Sequence, residues 1–324
     1  MFPQAGNFLL DLSQESPEAC EAEIRFLNFQ GNYEVLRKSR HTCEITGNPS
    51  TLYNAAFIRE ILGVIYSGES LDGIRQCQLP DGKFHVRFRD ADRCGITADE
   101  AEIGSIIGGD GKVSFGNPDF VIKVIHDSKW YLTKLEHRRD LSDMESRRPP
   151  VKPFFSPVSM HPKFARFMVN VSRTTPGDTI IDPFCGTGGI LVEAAIMGRH
   201  IIGNDFSSDM IRGTGQNIDF YGLSAESLTS VDIRDLAVDK TVDAVITDLP
   251  YGRNSRVTGH GIRGLYQLAF EKFHELLRER GTAVVAVSDR GMLEMSGELF
   301  DTLSIVPVRQ HKSLTRYYAV LERK

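Results

Sequence analysis

Ile180-Ile181-Asp182-Pro183-Phe184-Cys185-Gly186-Thr187-Gly188-Gly189 decides the fold. A short apolar run ends in an acid and passes through a turn whose glycines let the backbone approach a ligand closely. It then enters a segment carrying Ile190, Leu191, Ala194 and Ala195 at helical spacing. Strand, loop and helix in that order place the loop at the carboxyl end of a strand, where open α/β sheets bind ligands. Outward from it, apolar runs at 200–203, 228–231, 243–247 and 282–287 are separated by mostly helical stretches, which predicts a parallel sheet with crossover helices. A helix over 265–277 is expected to stop at Gly281. Runs at 303–309 and 316–321 have only a turn between them, so the sheet closes with an antiparallel hairpin.

Two nucleotide-like ligand classes compete for the loop. A dinucleotide fingerprint needs a third glycine three residues after Gly188, and that position is Leu191. Asp182 would sit badly against a pyrophosphate but well against the cationic amino group of S-adenosylmethionine. The next strand ends in Gly203-Asn204-Asp205, where an acid can accept two ribose hydroxyls. The third leads to Asp232 and Ile233, placed to meet an adenine. The ordered set Asp182, Gly186, Gly188, Asp205 and Asp232, with Phe184, Cys185 and Thr187 in the same loop, selects S-adenosylmethionine.

The fourth strand runs into Asp248-Leu249-Pro250-Tyr251-Gly252. An exocyclic amine on a base is a poor nucleophile, because its lone pair is delocalised into the ring. A carboxylate on one N–H and a backbone carbonyl on the other would orient it, and an aromatic face would clamp a base drawn from its stack. Asp248 supplies the carboxylate, Leu249 the carbonyl and Tyr251 the face, while Pro250 stiffens the turn.

The first seventy residues read as β-α-β-β-α-β, a ferredoxin-like order with its second helix at about 50–57. Residues 74–135 read as a second small α+β unit, in which Phe84-His85-Val86-Arg87-Phe88 alternates as a half-buried strand. Residues 140–157 mix charges with Pro149, Pro150, Pro153 and Pro157 and read as a linker.

The two motifs 182–188 and 248–252 resemble those of Rossmann-fold amino methyltransferases, whose usual tetrad is Asp/Asn-Pro-Pro-Tyr; Leu249 replaces the first proline. The N-terminal half, Glu102-Ile103-Gly104 and the segment 156–171 with Pro157, His161-Pro162, Ala165-Arg166 and Asn170 are similar to THUMP-domain RNA methyltransferases. Among these the archaeal-type enzymes acting on guanine N2 at position 10 of tRNA are most similar. The resemblance implies a ferredoxin-like domain over 1–68, a THUMP domain over 69–138, a linker over 139–157 and a class I methyltransferase domain over 158–324. It implies tRNA as partner, gripped at its acceptor end by the THUMP domain, and methylation of guanine N2 once or twice. Arg87, Arg138, Arg139, Arg147, Arg148, Arg253 and Arg256 are the candidate RNA contacts. Methylation at another tRNA position or in ribosomal RNA, and a non-catalytic tRNA-binding scaffold, are the alternatives.

Composition bears on partners. The chain has 324 residues and a net charge of −5, which taken whole argues against nucleic acid. Residues 1–34 hold one cation, Arg25, against six acids, so the remainder is balanced, and 123–152 hold eight cations against five acids. Five dispersed cysteines with no CxxC pair predict reduced thiols and no structural metal. The apolar run 283–287 is far too short to span a bilayer, and the N-terminus lacks the pattern of a secretory signal. A cytoplasmic monomer is the expectation.

Overall fold

The structure is a computed structural model that describes residues 6–108, 112–157, 159–250, 261–311 and 314–324. It divides into two compact units, Met1–Cys20 with Asn28–Arg139 and Glu21–Leu27 with Asp140–Lys324.

The first unit carries Gly6–Leu12 (β1), Tyr33–Lys38 (β2), Thr42–Gly47 (β3), Ile58–Gly68 (β4), Phe84–Asp90 (β5), the helix Glu100–Gly108, Phe120–His126 (β6) and Trp130–Arg138 (β7). One seven-stranded sheet runs β2-β3-β1-β4-β7-β6-β5, and β4 pairs with both β1 and β7. Every pairing is antiparallel except β5 with β6. The helix expected over 50–57 is instead a single 3-10 turn at Ser50–Asn54. Ala55 is extended and ends the turn, and Ala55, Ala56 and Phe57 are buried in the core ahead of β4.

The second unit holds Leu141–Glu145, Pro162–Asn170, Thr179–Asp182 (β8), Gly189–Ile196, His200–Asn204 (β9), Ser208–Phe220, Ser227–Thr229 (β10), Val242–Asp248 (β11), Gly261–Leu276, Leu277–Val287 (β12), Phe300–His311 (β13) and Leu314–Arg323 (β14). With the helix Pro17–Phe26 as α1 and Glu100–Gly108 as α2, the five helices that follow residue 140 are α3 to α7 in chain order. The sheet of this unit runs β10-β9-β8-β11-β12-β14-β13. Pairings from β10 to β12 are parallel and both pairings of β14 are antiparallel, as the hairpin spacing predicts. β8 has β9 on one side and β11 on the other, so the order reverses there and a crevice opens at their carboxyl ends. Ile181, Val245, Leu249, Phe270, Phe273 and Val285 belong to the core beneath.

Two local expectations change. α7 stops at Leu276 and the chain enters β12 at once, so Gly281 lies inside a strand rather than capping a helix. A Cβ at Gly281 would stand 2.9 Å from the Arg278 carbonyl oxygen and 3.1 Å from that of Asp243, so close approach of backbone explains the glycine. Residues 140–157 are not an extended spacer. Asp140 caps α3 by accepting from the Ser142 and Asp143 amides, and Arg147 and Lys152 are buried. Pro149 and Pro150 open the 3-10 turn Pro149–Val151.

Candidate cofactor and active site

β8 is buried along its whole length and delivers Asp182 to the crevice. Asp182 Oδ1 accepts from Thr247 Oγ1 at 2.6 Å and from the Phe184 amide at 3.1 Å. Burial pushes the Asp182 carboxyl up to about 7 against these two bonds, and the charges of Asp205 and Asp248 push the same way. The turn that follows needs its glycines for two reasons. Gly186 and Gly188 have φ of 52° and 75°, and a Cβ at Gly188 would stand 2.8 Å from Thr214 Cγ2.

α6 braces this loop from behind. Thr214 donates to the Gly186 carbonyl at 2.7 Å, and Asn217 Nδ2 donates to that of Thr187 at 2.9 Å. The Thr187 and Ser159 hydroxyls lie 2.9 Å apart. Cys185 is buried beside Thr214, and burial raises its thiol well above the usual range, so it packs rather than reacts. Phe184 meets the Phe273 ring edge-on.

Asn204, fully buried at the end of β9, ties three strand ends together. Its Nδ2 donates to the Pro183 and Val231 carbonyls, and its Oδ1 accepts from the Val231 amide and Thr229 Oγ1. Asp205, next in the chain, accepts from the Gly186 and Ser207 amides, yet burial still raises its carboxyl. Asp232 stands three residues beyond β10 and is gripped by Arg234 through both carboxylate oxygens, which lowers it. Ile233 is buried behind it.

β11 delivers Asp248 beside Asp182. Asp248 Oδ2 accepts from Arg316 Nη1 at 2.7 Å, while Oδ1 is buried and has no hydrogen-bond partner among the described residues. Burial raises the carboxyl to about 6 even though Arg316 pulls it down. Leu249 is wholly buried, and its amide donates to the Ala286 carbonyl at 3.1 Å, a bond that the usual proline could not make. Tyr266 of α7 donates to the Pro250 carbonyl at 3.2 Å. Tyr251, Arg253 and Arg256 lie outside the described residues.

Thus β8, β9, β10 and β11 bring together the acids picked out by sequence, and three of them crowd negative charge into buried surroundings with no lysine or arginine beside Asp182 or Asp205 among the described residues. A ligand carrying an ammonium and a sulfonium fits that deficit, and S-adenosylmethionine carries both. Thr214, Asn217, Thr247 and Arg316 were missed, because each lies far along the chain from the loop or acid it touches.

The candidate RNA contacts divide. Arg147 is a correction: it is buried, and its guanidinium is taken up by Asp143 and Glu193, so it cannot meet a phosphate. Arg139 donates to the Ala56 carbonyl. Arg87, Arg138 and Arg148 are exposed, paired with Glu100, Glu60 and Glu145 respectively. Among the described residues, one group with metal-ligand chemistry belongs to the first unit, at Asp90, Asp92 and His126, where His126 Nδ1 is 3.1 Å from Asp92 Oδ1.

Strand order, glycine loop and acid set define a Rossmann-fold, S-adenosylmethionine-dependent methyltransferase. Residues 149–317 match the family described as RMKL-like, methyltransferase domain. The chain is 34% identical to the tRNA (guanine(10)-N2)-dimethyltransferase of Methanothermobacter thermautotrophicus, over 96% of this chain and 98% of that one. It is 30% identical to the enzyme of the same name from Pyrococcus abyssi, over 98% and 100%. The chain belongs to this tRNA (guanine(10)-N2)-dimethyltransferase family. Its fold is similar to the crystal structure of TrmN from Thermus thermophilus, with a TM-score of 0.58, 18% identity and coverage of 98% and 100%.

Proposed function

We propose that the protein transfers methyl groups from S-adenosylmethionine to the exocyclic N2 of guanine 10 in tRNA, forming first the monomethyl and then the dimethyl base. The observation that carries this is Asp248: a carboxylate beside the cofactor loop with one oxygen held by Arg316 and the other buried and unpartnered among the described residues. Bound S-adenosylmethionine would supply an electrophilic methyl on a sulfonium. Asp182 would face its ammonium, Asp205 its ribose hydroxyls, and Asp232 with Ile233 its adenine, while Gly186 and Gly188 keep the backbone low enough for close approach.

Asp248 Oδ1 would accept one N2–H of the guanine and the Leu249 carbonyl another, which turns the nitrogen lone pair toward the methyl. Positive charge that develops on N2 as it accepts the methyl would be stabilised by the Asp248 carboxylate opposite it. The proton then passes from N2 to Asp248 Oδ1 and on to water. Tyr251 is proposed to stack on the base.

The N-terminal strands support a ferredoxin-like unit over 1–68, in the antiparallel order β2-β3-β1-β4. Strands β5 to β7 with α2 are proposed as the THUMP domain over 69–138, and 158–324 as the catalytic domain. A monomer acting on tRNA in the cytoplasm is part of the same proposal; no helix among the described residues is long and apolar enough to cross a membrane.

The test is incubation with labelled cofactor and unmodified total tRNA, followed by nucleoside mass spectrometry. N2-methylguanine and N2,N2-dimethylguanine at position 10 are expected. Label in any other base would overturn the assignment. Asp248→Ala should abolish transfer, by about 1000-fold or more, with S-adenosylhomocysteine binding kept; unchanged turnover would remove Asp248 from the mechanism.

A further inference from the structure

β14 is the one strand of the second unit's sheet, among the described residues, that runs against its neighbours on both sides, so its first residues lie at the end where the parallel strands finish. The register is explicit: Asp248 lies opposite Ala286 and Ala286 opposite Tyr318, which puts Asp248 and Tyr318 on one face of the sheet. Arg316, two residues before Tyr318, shares that face and reaches past the end of β12 to Asp248. Its side chain is 8% exposed, and it is the only basic side chain paired with Asp248 among the described residues.

We propose that Arg316 is a positioning residue for methyl transfer: by occupying Oδ2 it fixes the Asp248 carboxylate in its ionised form with Oδ1 turned to the amine of the target base. This rests on the role proposed above for Asp248. An isolated carboxylate buried at this depth would take up a proton and could then no longer accept from N2–H. Among the described residues, the other titratable groups facing it do not help it to ionise. Asp182 on β8 carries like charge, while Tyr266 on α7 and Tyr318 on β14 are phenols that burial keeps protonated. Among the described residues, the cation that offsets this burial is Arg316.

The experiment measures single-turnover methylation of tRNA from pH 5.5 to 9 for the wild type and for Arg316→Met, Arg316→Gln, Arg316→Lys and Asp248→Asn, with S-adenosylhomocysteine affinity by calorimetry as a check on the fold. Arg316→Met and Arg316→Gln should lose about 100-fold in rate at pH 7. Their acid limb should move up by about one pH unit or more, with cofactor affinity nearly unchanged, and Arg316→Lys should bring the limb back. In the Asp248→Asn background, Arg316→Met should cost nothing further. A uniform loss with the limb unmoved, or a wild-type profile, would overturn the proposal. So would loss of cofactor binding in both neutral variants, which would make the pair a folding element. A wild type without N2-methylguanine, or a fully active Asp248→Asn, would refute the function proposed for Asp248 and with it this role of Arg316, whereas the outcomes above overturn the role of Arg316 alone.

Discussion

Asp182 and Asp248 are carboxylates in surroundings that oppose their charge, and each is raised, to about 7 and about 6. At Asp182 the energetic logic is linkage. In the folded protein without ligand the carboxyl ionises near 7 rather than near 3.8, so the stability it contributes is fully present in acid and is lost as the pH rises from about 4 to about 7. A cationic ligand reverses the preference by stabilising the ionised form. Affinity for S-adenosylhomocysteine, which keeps the ammonium, should therefore weaken as the pH falls below about 7, approaching tenfold per unit. Asp182→Asn should bind more weakly and lose that dependence; calorimetry across pH 5.5 to 8.5 reads both.

Among the elements, the loop 182–188 and helix α6 form one device. Gly188→Ala combines a positive φ with a Cβ driven to within 2.8 Å of Thr214, so it should cost about 2 kcal/mol or more of stability and weaken cofactor binding. Thermal melts with and without S-adenosylhomocysteine measure the two effects. The loop could be read from sequence because its chemistry is consecutive in the chain. Thr214 and Asn217 could not, since in a helix such residues look like ordinary polar positions until the fold brings the loop to them. Arg147 shows the same limit from the other side. By composition it is one more charge in a basic, proline-rich stretch, yet it bonds Glu193 of α5, 46 residues on. Arg147→Met should destabilise by about 3 kcal/mol, because Glu193 keeps Arg166 but loses its second cation. Arg148→Met, at an exposed pair, should change stability by less than about 0.5 kcal/mol. Urea unfolding separates them.

At the scale of the whole molecule, a chain with net charge −5 has to bind a polyanion through local surplus rather than total charge. Arg138 and Arg148 are the exposed members of the candidate set in the stretch 123–152. Replacing both with Met should weaken tRNA binding and reduce its salt dependence by about one counterion for each phosphate no longer neutralised, while replacing Glu15 and Glu18 should not weaken it. Filter binding at several salt concentrations gives the slope. The alternation of strands and helices in the second unit, its antiparallel end and most of its acids were legible because hydrophobic period and strand-end motifs are local. The pairing of Asp248 with Arg316 was not, since two distant strands have to be neighbours before it exists. The seven-stranded sheet of the first unit carries a different consequence. β4, eleven residues long, serves as the seam between β1 and β7. A fragment ending at residue 68 would leave that strand's second row of amides and carbonyls open to any passing chain, an adhesive edge that invites aggregation, so the boundary visible in sequence is a poor place to cut the protein.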